Sequence, residues 1–473
     1  MFAKPHPPTE TSTLGALPFA LFAKGEVSRS DRSLSPHPKF VILSKAEGPA
    51  TLPTPRKPPA TFNHHPLLFT IHYSLFTPPN PPSIRSNTNM LRIPLADLTT
   101  TIQKALLNLG LPDDRAALSA RLIAETDLDG VHTHGIARLP RFAEMVRNNA
   151  IDPLATPTTT TTFGALERWD GHRGPGNLAA HAAMSRAISL AKTHGLGAVA
   201  LGNTSHWQRG GSYGWQAAEA GCAALCWTNT LPNLPPWGAT TPALGNNPLI
   251  LAIPTGNALR ESLTEGALAG ESLSGGSLTG GSSGLQATES APQQRGFSPG
   301  PYPASGPIVL DIAMSQFSYG TLSSYAARGQ QLPVPGGYDE SGNLTTDPAT
   351  IERTQRALPI GFWKGSGLSF ALDVLAAMLS GGQSTHQLTP DPLQEVGLSQ
   401  IFLAISPTSL TTIEELTTIA TAAIDSLHSA TPIDPASPPR YPGEGTLQTR
   451  TENLRLGIPV DESQWQKVLS LTT

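Results

Sequence analysis

The sequence predicts a mixed α/β fold, in which helices surround a sheet that is not assembled from regular strand–helix–strand units. Three short apolar runs of strand length lie in the middle of the chain, at residues 196–201, 222–227 and 249–253. Amphipathic segments of helix length lie on both sides of them. Because strands and helices alternate without the regular repeat of a parallel sheet, we expect strands of both directions in one sheet.

The three central runs are apolar on both faces, so they are expected in the interior of the sheet. A helix is predicted between the first two runs, over residues 212–220, with Ser212 as its N-cap and Gly221 at its end. The connections after the strands carry Asn203, Ser205, His206, Arg209, Thr228 and Asn229. Polar groups at the ends of buried strands are well placed to hold a ligand, so these residues are the first candidates for a binding site.

Three helices are expected before the central strands, over residues 95–109, 113–127 and 139–146. Gly110 ends the first, and Asp113 suits the N-terminus of the second. The second and third are separated by a glycine-bounded turn, after which come Arg138 and Arg141. The apolar residues that recur at helical spacing are Leu98, Ile102, Leu106, Leu118, Leu122, Ile123, Leu139, Phe142, Met145 and Val146.

The rest of the chain continues the alternation. Strands are predicted within 158–169 and at 308–313 and 401–405. Helices are predicted from Asn177, as N-cap, to about His194, and at 318–328, 367–379, 413–427 and 462–471, with a loop over 336–348. The helix over 367–379 is strongly apolar, and we expect it to be buried through Phe370, Val374, Ala377 and Met378.

Composition excludes several classes of partner. The net charge is −4, so nothing in the charge balance favours nucleic acid or an anionic membrane surface. No apolar run approaches the roughly 18 residues that a membrane span requires. Cys222 and Cys226 cannot form a disulfide framework and are expected to be buried, inert thiols. They indicate a reducing compartment, and we expect a cytoplasmic protein.

Two segments do not read as folded domains. Residues 1–89 contain 16 prolines without a period, and they are expected to be a disordered extension. Their basic, serine-rich composition also allows a transit peptide, and a third interpretation is that Met90 is the true start. Residues 255–306 are rich in Gly and Ser and are expected to be a flexible insertion in the catalytic region over 90–473.

Two short motifs are weak evidence for a ligand. Gly195, Gly197 and Ala200 match the spacing of a dinucleotide-binding fingerprint. That fingerprint requires a strand before it and a helix after it, and the order here is reversed, so Gly195 is better explained as the end of a helix. His132 and His134 suggest a metal, but two imidazoles without a nearby acid or cysteine cluster are too few, and we expect no metal site.

Longer segments carry a resemblance to a known family. Residues 203–219 read NTSHWQRGGSYGWQAAE, CWTNT begins at Cys226, PPWG begins at Pro235, and HGIARLPR begins at His134. Together they resemble the malate/L-lactate dehydrogenase family that lacks a Rossmann fold, and the resemblance begins at Met90. It implies a mixed-sheet, non-Rossmann, NAD(P)-dependent oxidoreductase, usually a homodimer with its cofactor near the subunit interface.

The resemblance also implies roles for individual residues. His134 matches the proton donor, although some family members are assigned their acid at the position of His206. His132 departs from the residues of similar family members. Arg138 and Arg209 are candidates for binding a substrate carboxylate, because a guanidinium can bind both of its oxygens. The cofactor contacts match Pro307, Ile308, Val309, Leu310, Asp311, Ile312, Ala313, Trp363, Lys364, Gly443, Glu444 and Gly445.

The expected activity is reduction of a 2-oxo acid, with a sugar acid favoured, by hydride from NADH or NADPH and a proton from a histidine. NADH is preferred, although the acidic-residue rule of Rossmann folds does not apply here. The alternatives within the family are oxidation of malate, lactate, sulfolactate or ureidoglycolate, and reduction of a cyclic imine. A non-catalytic binding protein on the same scaffold is the alternative of a different class.

Overall fold

The computed structural model describes residues 90–256, 259 and 306–473. The predictions for residues 1–89 and for most of the 255–306 segment lie outside the described residues. Within them, the chain folds into a seven-stranded mixed sheet with helices on both faces, as the sequence predicts. The strands are β1 (Met90–Ile93), β2 (Thr158–Phe163), β3 (Leu166–Asp170), β4 (Leu196–Ser205), β5 (Ala223–Thr228), β6 (Leu249–Ile253), β7 (Ile308–Ile312), β8 (Gly337–Tyr338), β9 (Leu344–Thr345), β10 (Val396–Ile405) and β11 (Ile458–Asp461).

The order of strands in the large sheet is β2-β3-β4-β10-β5-β6-β7. Only β3 and β4 pair in parallel, and the other neighbours are antiparallel. The late strand β10 is inserted between β4 and β5, so the centre of the sheet is closed by a segment from the C-terminal part of the chain. The first and last strands, β1 and β11, pair with each other in a separate two-stranded sheet.

The described helices agree with most of the predicted ranges. They are α1 (Leu95–Asn108), α2 (Asp113–Leu128), α3 (Leu139–Arg147), α4 (Gly176–His194), α5 (Gly211–Glu219), α6 (Tyr319–Ala327), α7 (Pro348–Thr354), α8 (Trp363–Ser380), α9 (Ile413–His428), α10 (Glu444–Leu456) and α11 (Glu462–Leu469). Gly195 ends α4 with φ +84°, which confirms that the fingerprint-like glycines terminate a helix.

Alternation along β4 and β10 builds the two layers of the core. Val199 and Leu201 pack with α4 and α5 on one face, whereas Ala200 and Ile401 pack with α8 on the other. Cys222 and Cys226 are free and buried in the first of these layers. A third cluster joins α1, α2, α3 and α11 to β1 and β11, away from the sheet. The connections between these layers are where the polar candidates lie.

The helix α8 is oriented differently from the prediction. Phe370 and Met378 are 59% and 70% exposed, and Val374 and Ala377 are only half-buried. The inner face is mixed: Leu372 and Ala376 pack in the core, while Ser369 accepts a hydrogen bond from Asn247 and Asp373 accepts one from Asn229. These polar partners, in the connections beside β5 and β6, favour burial of this face. Apolar content alone could not show this.

Three other expectations were wrong. Ser212 does not cap α5, because the Gly211 N–H donates to the carboxylate of Asp311 instead. Asn177 lies inside α4, where it donates to Ser119, and does not cap it. The strand β6 is buried on one face only, since Leu251 and its alternate neighbour Ile253 are exposed. The sequence did not indicate β1, β11, the short β8–β9 pair, α7 or α10.

Asn229 ties the sheet to α8. Its Nδ2 donates to Asp373 Oδ1 at 3.0 Å and to the Gln383 carbonyl at 2.7 Å, and its Oδ1 accepts from Ser399 N–H at 2.8 Å. The residue is fully buried. If the amide were removed, the buried Ser399 N–H would lose its acceptor. Asp373 Oδ1 would keep the Thr385 N–H, and the Gln383 carbonyl would keep the Ser399 hydroxyl.

Replacing Asn229 by leucine is expected to lower the free energy of unfolding by about 1–3 kcal/mol, the cost of one buried polar group left without a partner, here the Ser399 N–H. Urea unfolding of the purified chain measures this change. The matched control is Asn148→Leu at an exposed position after α3, which should leave the midpoint nearly unchanged. Equal midpoints for both variants would contradict the structural role of Asn229.

Candidate active site

A cleft of about 1620 Å³ opens between the α2–α3 connection, the segment before α5, β7 and the turn before α10. It brings together both candidate histidines and both candidate arginines. It is larger than the roughly 300–1,000 Å³ of a pocket for one small ligand, so two ligands have room side by side. The predicted site residues that line it are His134, Arg138, His206, Arg209, Val309, Leu310, Asp311, Ala313 and Gly443.

The turn that carries His134 is held by the buried carboxylate of Asp127. The Ile136 N–H donates to Asp127 Oδ2 at 2.7 Å, and His132 Nδ1 lies 3.1 Å from Oδ1. A Cβ atom at Gly135 would lie 2.0 Å from Asp127 Oδ2, so only glycine lets the turn fold over this carboxylate. His132 thus contacts Asp127, the carboxylate that holds this turn, and it lines the cleft together with His134.

His134 has one nitrogen engaged with its neighbour. Its Nδ1 lies 2.9 Å from Thr133 Oγ1, so a hydroxyl that donates to Nδ1 leaves the proton of the neutral ring on Nε2. The ring stacks on His206, with centroids 5.9 Å apart and an angle of 24° between the planes. The two imidazoles therefore form one surface of the cleft.

Both histidines are neutral in this arrangement. Burial, followed by the positive charges of Arg138 and Arg209, lowers the pKa of His134 to about 3. Burial, then Arg138, His134 and Arg141, lowers the pKa of His206 well below its usual range. Each ring keeps partial exposure to the cleft while protein surrounds its other sides. The site is consequently a poorly solvated, positively charged region that favours an anion.

Arg138 is one of two arginines that share a single carboxylate. Its Nη1 lies 3.6 Å from Glu395 Oε2, and Arg141 Nη2 lies 2.9 Å from the same oxygen. Glu395 immediately precedes β10 and is 6% exposed. The carboxylate fixes both guanidinium groups at the cleft, and two positive charges against one negative charge leave a surplus of one.

Arg209 belongs to a second, more deeply buried cluster. Its Nη1 donates to Asp129 Oδ2, and Arg450 of α10 binds the same carboxylate from the other side, at 2.5 and 2.8 Å. All three side chains are almost completely buried. Arg450 also lies over the ring of Trp215, 5.1 Å from its centre. Arg209 is thus held rigidly, and its Nε has no hydrogen-bond partner among the described residues.

Several predicted site residues lie elsewhere. Thr228 and Asn229 are fully buried outside the cleft, because their polar groups bond to the protein interior. Trp363 and Lys364 are exposed at the start of α8 and do not line the cleft. The remaining residues flank its wall without forming it, and they are Pro307, Ile308, Ile312, Glu444 and Gly445.

The sequence analysis did not single out three features of the site. Glu395, Asp129 and Asp127 support the arginines and the His134 turn from distant parts of the chain. Asp127 and Asp129 lie close to the two histidines in the sequence and could have been noticed there. The pairing of Asp129 with Arg450 of α10 could not, because Arg450 is far away in the chain. Residues 230–233 also line the cleft, directly after the predicted pair Thr228 and Asn229.

Comparisons with known proteins show the family of the chain. A sequence model described as malate/L-lactate dehydrogenase matches residues 93–262 and 298–469. The 2,3-diketo-L-gulonate reductase of Escherichia coli (strain K12 / DH10B) is 38% identical over 382 residues, which cover 80% of this chain and 100% of that protein. The chain belongs to the malate/L-lactate dehydrogenase family. It is therefore an oxidoreductase that acts on a CH–OH group.

Solved structures show the same fold. A dehydrogenase from Sinorhizobium meliloti has a TM-score of 0.64 at 25% identity, covering 81% of this chain and 98% of that chain. The sulfolactate dehydrogenase of Methanocaldococcus jannaschii has a TM-score of 0.66 at 22% identity, covering 80% and 96%. The malate/L-lactate dehydrogenase fold is thus shared across proteins whose sequences have diverged widely.

Three features of the cleft suit the nucleotide expected of a malate/L-lactate dehydrogenase. The edge strand β7 forms one wall, with a strand neighbour on one side only, and the Val309 N–H donates to Pro442 O at 2.8 Å. Gly443 has φ +99° and brings the N-terminus of α10 to the cleft, where a phosphate is favoured. Gln208 Oε1, also at the cleft, is buried without a partner among the described residues. The residues fit a nucleotide.

Metal sites and membrane-spanning helices are absent from the part of the chain that the structure describes. No group of three or more His, Cys, Asp or Glu residues there could hold a metal ion. Over the same residues, no helix combines the length and the apolarity needed to cross a bilayer.

Replacing Asp129 by asparagine should lower the free energy of unfolding by about 3–5 kcal/mol, because it leaves two buried guanidinium groups without their counter-charge. Thermal and urea unfolding would record the loss. Glu340→Gln is the control, since Glu340 also pairs with an arginine, Arg353, but at the exposed surface. A difference between the two variants of less than about 1 kcal/mol, the value of a surface pair, would count against a structural role for Asp129.

Proposed function

We propose that this chain reduces a 2-oxo acid to a 2-hydroxy acid with NADH, with 2,3-diketo-L-gulonate as the candidate substrate and NADPH as the alternative nucleotide. The observation that carries the proposal is the stacked pair His134 and His206, which shares one cleft with Arg138, Arg141 and Arg209. A 2-oxo acid presents a carboxylate beside a carbonyl, and this site presents arginines beside a potential proton donor. The named relative at 38% identity supports the sugar-acid substrate.

The nucleotide would be held by the wall formed by Val309, Leu310, Asp311, Ala313 and the turn at Gly443. When bound, a nicotinamide nucleotide supplies the hydride. Asp311 has one carboxylate oxygen bound to the Gly211 N–H, and its side chain is exposed to the cleft. A ribose hydroxyl is a suitable donor to this carboxylate.

The arginines place the substrate. Arg138 and Arg141 carry two positive charges, and Glu395 neutralises one of them. A substrate carboxylate would neutralise the other. Arg209 is already bound to Asp129 and contributes a fixed positive charge and an N–H donor at Nε. We therefore assign the carboxylate to the Arg138–Arg141 pair, and a supporting role to Arg209.

His134 provides the proton. In the free protein its pKa is lowered by burial and by Arg138 and Arg209, so the ring is neutral at pH 7. A substrate carboxylate beside the arginines offsets their charge and raises the pKa of His134 in the complex. Substrate binding is thus coupled to proton uptake, and binding strengthens as pH falls through the pKa of the complex. The imidazole then stands ready at the carbonyl oxygen.

The proposal is tested directly by mixing the full chain with NADH or NADPH and a panel of acids and following nucleotide absorbance. The panel contains 2,3-diketo-L-gulonate, oxaloacetate, pyruvate, sulfopyruvate and a cyclic imine carboxylate. Turnover of a 2-oxo acid supports the proposal, and preference within the panel separates the family reactions. Absence of turnover with both nucleotides, in both directions, would leave only a binding function.

His134→Gln is expected to lower kcat by about 100- to 10,000-fold, the usual contribution of general acid catalysis, which is about 3–5 kcal/mol of barrier. The glutamine retains a hydrogen-bond donor of similar reach but cannot deliver a proton. Nucleotide affinity should be retained. Steady-state kinetics with the best acid of the panel gives kcat, and fluorescence titration gives the affinity.

His206→Gln is the matched control, because this ring stacks on His134 in the same cleft. It should reduce kcat by much less than His134→Gln. Calorimetry in buffers of different ionisation enthalpy should also show proton uptake on substrate binding that His134→Gln removes. If His206→Gln abolishes turnover while His134→Gln stays within a few-fold of the parent, the acid is His206.

Assembly as a homodimer is a second proposal. The exposed side of α8 carries Trp363, Phe370 and Met378, which are 65%, 59% and 70% exposed. An apolar helix face of this kind favours contact with another protein surface. Trp363 and Lys364, expected at the cofactor, lie outside the cleft of their own chain, so a second copy against α8 is the partner we propose. The buried free thiols support the cytoplasm as its location.

The double variant Phe370→Glu and Met378→Lys should shift the molar mass in solution from that of a dimer to that of a monomer, because charges on this face cannot be buried unpaired. Light scattering coupled to size exclusion measures the mass. Leu410→Glu is the control, since Leu410 is an exposed apolar residue of a different segment. A dimer that survives the double variant would place the interface elsewhere.

A further inference from the structure

The Glu395 carboxylate is an unusual group in the wall of the cleft. Its side chain is 8% exposed, and its Oε2 is the shared contact of Arg138 and Arg141. The Arg141 contact is close, at 2.9 Å, but it lacks hydrogen-bond geometry. Neither Glu395 Oε2 nor Arg141 Nη2 has a hydrogen-bond partner within the part of the chain that the structure describes. Glu395 nevertheless lines the cleft, so a ligand bound there can supply a hydrogen-bond donor to its carboxylate.

Arg141 is fixed independently of this carboxylate. Its Nε donates to the Pro392 carbonyl at 2.7 Å, so the guanidinium would remain near the cleft without Glu395. Arg138 lies one turn earlier, at the start of α3. Glu395 is therefore not needed solely to hold Arg141 in place. The negative charge of Glu395 weakens the binding of an anionic substrate in this cleft. This cost suggests that Glu395 has a further role in recognising the substrate.

The chemistry of the three side chains defines the ligand they fit. Two guanidinium groups favour a carboxylate, and a buried carboxylate favours a hydroxyl that can donate to it. An alkyl group in the same place would leave the Glu395 carboxylate without a hydrogen-bond donor from the ligand. A molecule that has both a carboxylate and a nearby hydroxyl satisfies all three groups. The cleft here also contains His134 and His206, and both Arg138 and Arg141 act electrostatically on His206.

We propose that Glu395, with Arg138 and Arg141, forms a subsite that binds a hydroxyl group of the substrate, and that Glu395 makes the enzyme selective for hydroxylated 2-oxo acids. This inference rests on the proposed reduction of 2-oxo acids. It adds a specificity determinant to that reaction, and the class of substrate follows from Glu395. Glu395 is not required for the hydride or proton steps themselves.

Two pairs of substrates with equal numbers of heavy atoms test the proposal. Hydroxypyruvate is compared with 2-oxobutanoate, and 4-hydroxy-2-oxobutanoate with 2-oxopentanoate, by kcat/KM of the full chain. In at least one pair the hydroxylated acid should be favoured by about 10- to 100-fold, since a site built around a substrate hydroxyl rejects the analogue that lacks it. A ratio near one in both pairs overturns the proposal.

Glu395→Met keeps the length of the side chain and removes the acceptor. It should bring the ratio to within about threefold, whatever loss of kcat/KM the two acids share because Arg138 and Arg141 lose their ion-pair partner. A purely structural role would instead lower kcat/KM for both acids by the same factor and leave the ratio at the parent value, which would overturn the proposal. Glu340→Met, at an exposed glutamate that pairs with Arg353, is the control and should retain the parent ratio.

Glu395→Asp keeps the charge and withdraws the oxygens by one methylene, so it serves if the methionine variant does not fold. It should lower the ratio of the favoured pair several-fold, and an unchanged ratio in this variant overturns the proposal. Failure of the proposed function is a distinct result, because no 2-oxo acid would then be reduced with either nucleotide. If both members of each pair are reduced at equal rates, the proposed selectivity is wrong but the proposed function stands.

Discussion

The buried carboxylate of Asp129 is the contact on which the site depends. It lies at the end of α2 and binds Arg209, from the segment before α5, and Arg450, from α10. These elements come from three distant parts of the chain and meet at one negative charge. Since a buried charge is tolerated only when it is paired, the three elements are forced into one arrangement, and the cleft forms between them.

A second buried carboxylate that pairs with two arginines lies in the wall of the cleft. Glu395 holds Arg138 and Arg141, and it is placed by the strand β10, which enters the centre of the sheet. The Glu395 cluster contains more positive charge than negative, whereas in the Asp129 cluster Arg450 Nη1 also lies 3.9 Å from Glu219 Oε1. Burial, together with the charges of the arginines, lowers the pKa of both histidines. In the proposed reaction a bound substrate carboxylate would offset those charges, so substrate binding and protonation of His134 would be coupled.

The sequence predicted the local features well and the long-range ones poorly. The periodicity of Leu98, Ile102 and Leu106 identified α1. His134, His206, Arg138 and Arg209 of the cleft were candidates, whereas Arg141 was not. The insertion of β10 between β4 and β5 could not be derived, because no local pattern records which strands pair. Thr228 and Asn229 were misplaced for the same reason, since their partners Asp373 and Ser399 lie more than a hundred residues away.

The orientation of α8 shows where a hydrophobic pattern misleads. Its most apolar residues, Phe370 and Met378 among them, lie outside, and Ser369 and Asp373 lie inside. Burying an apolar face gains about 25 cal/mol per Å², but leaving Asn229 and Asn247 unpaired would cost more than one such side chain returns. The asparagines in the connections beside β5 and β6 therefore select the helix face that carries Ser369 and Asp373. The face with Phe370 and Met378 remains exposed, and it is the surface to which the proposed homodimer contact is assigned.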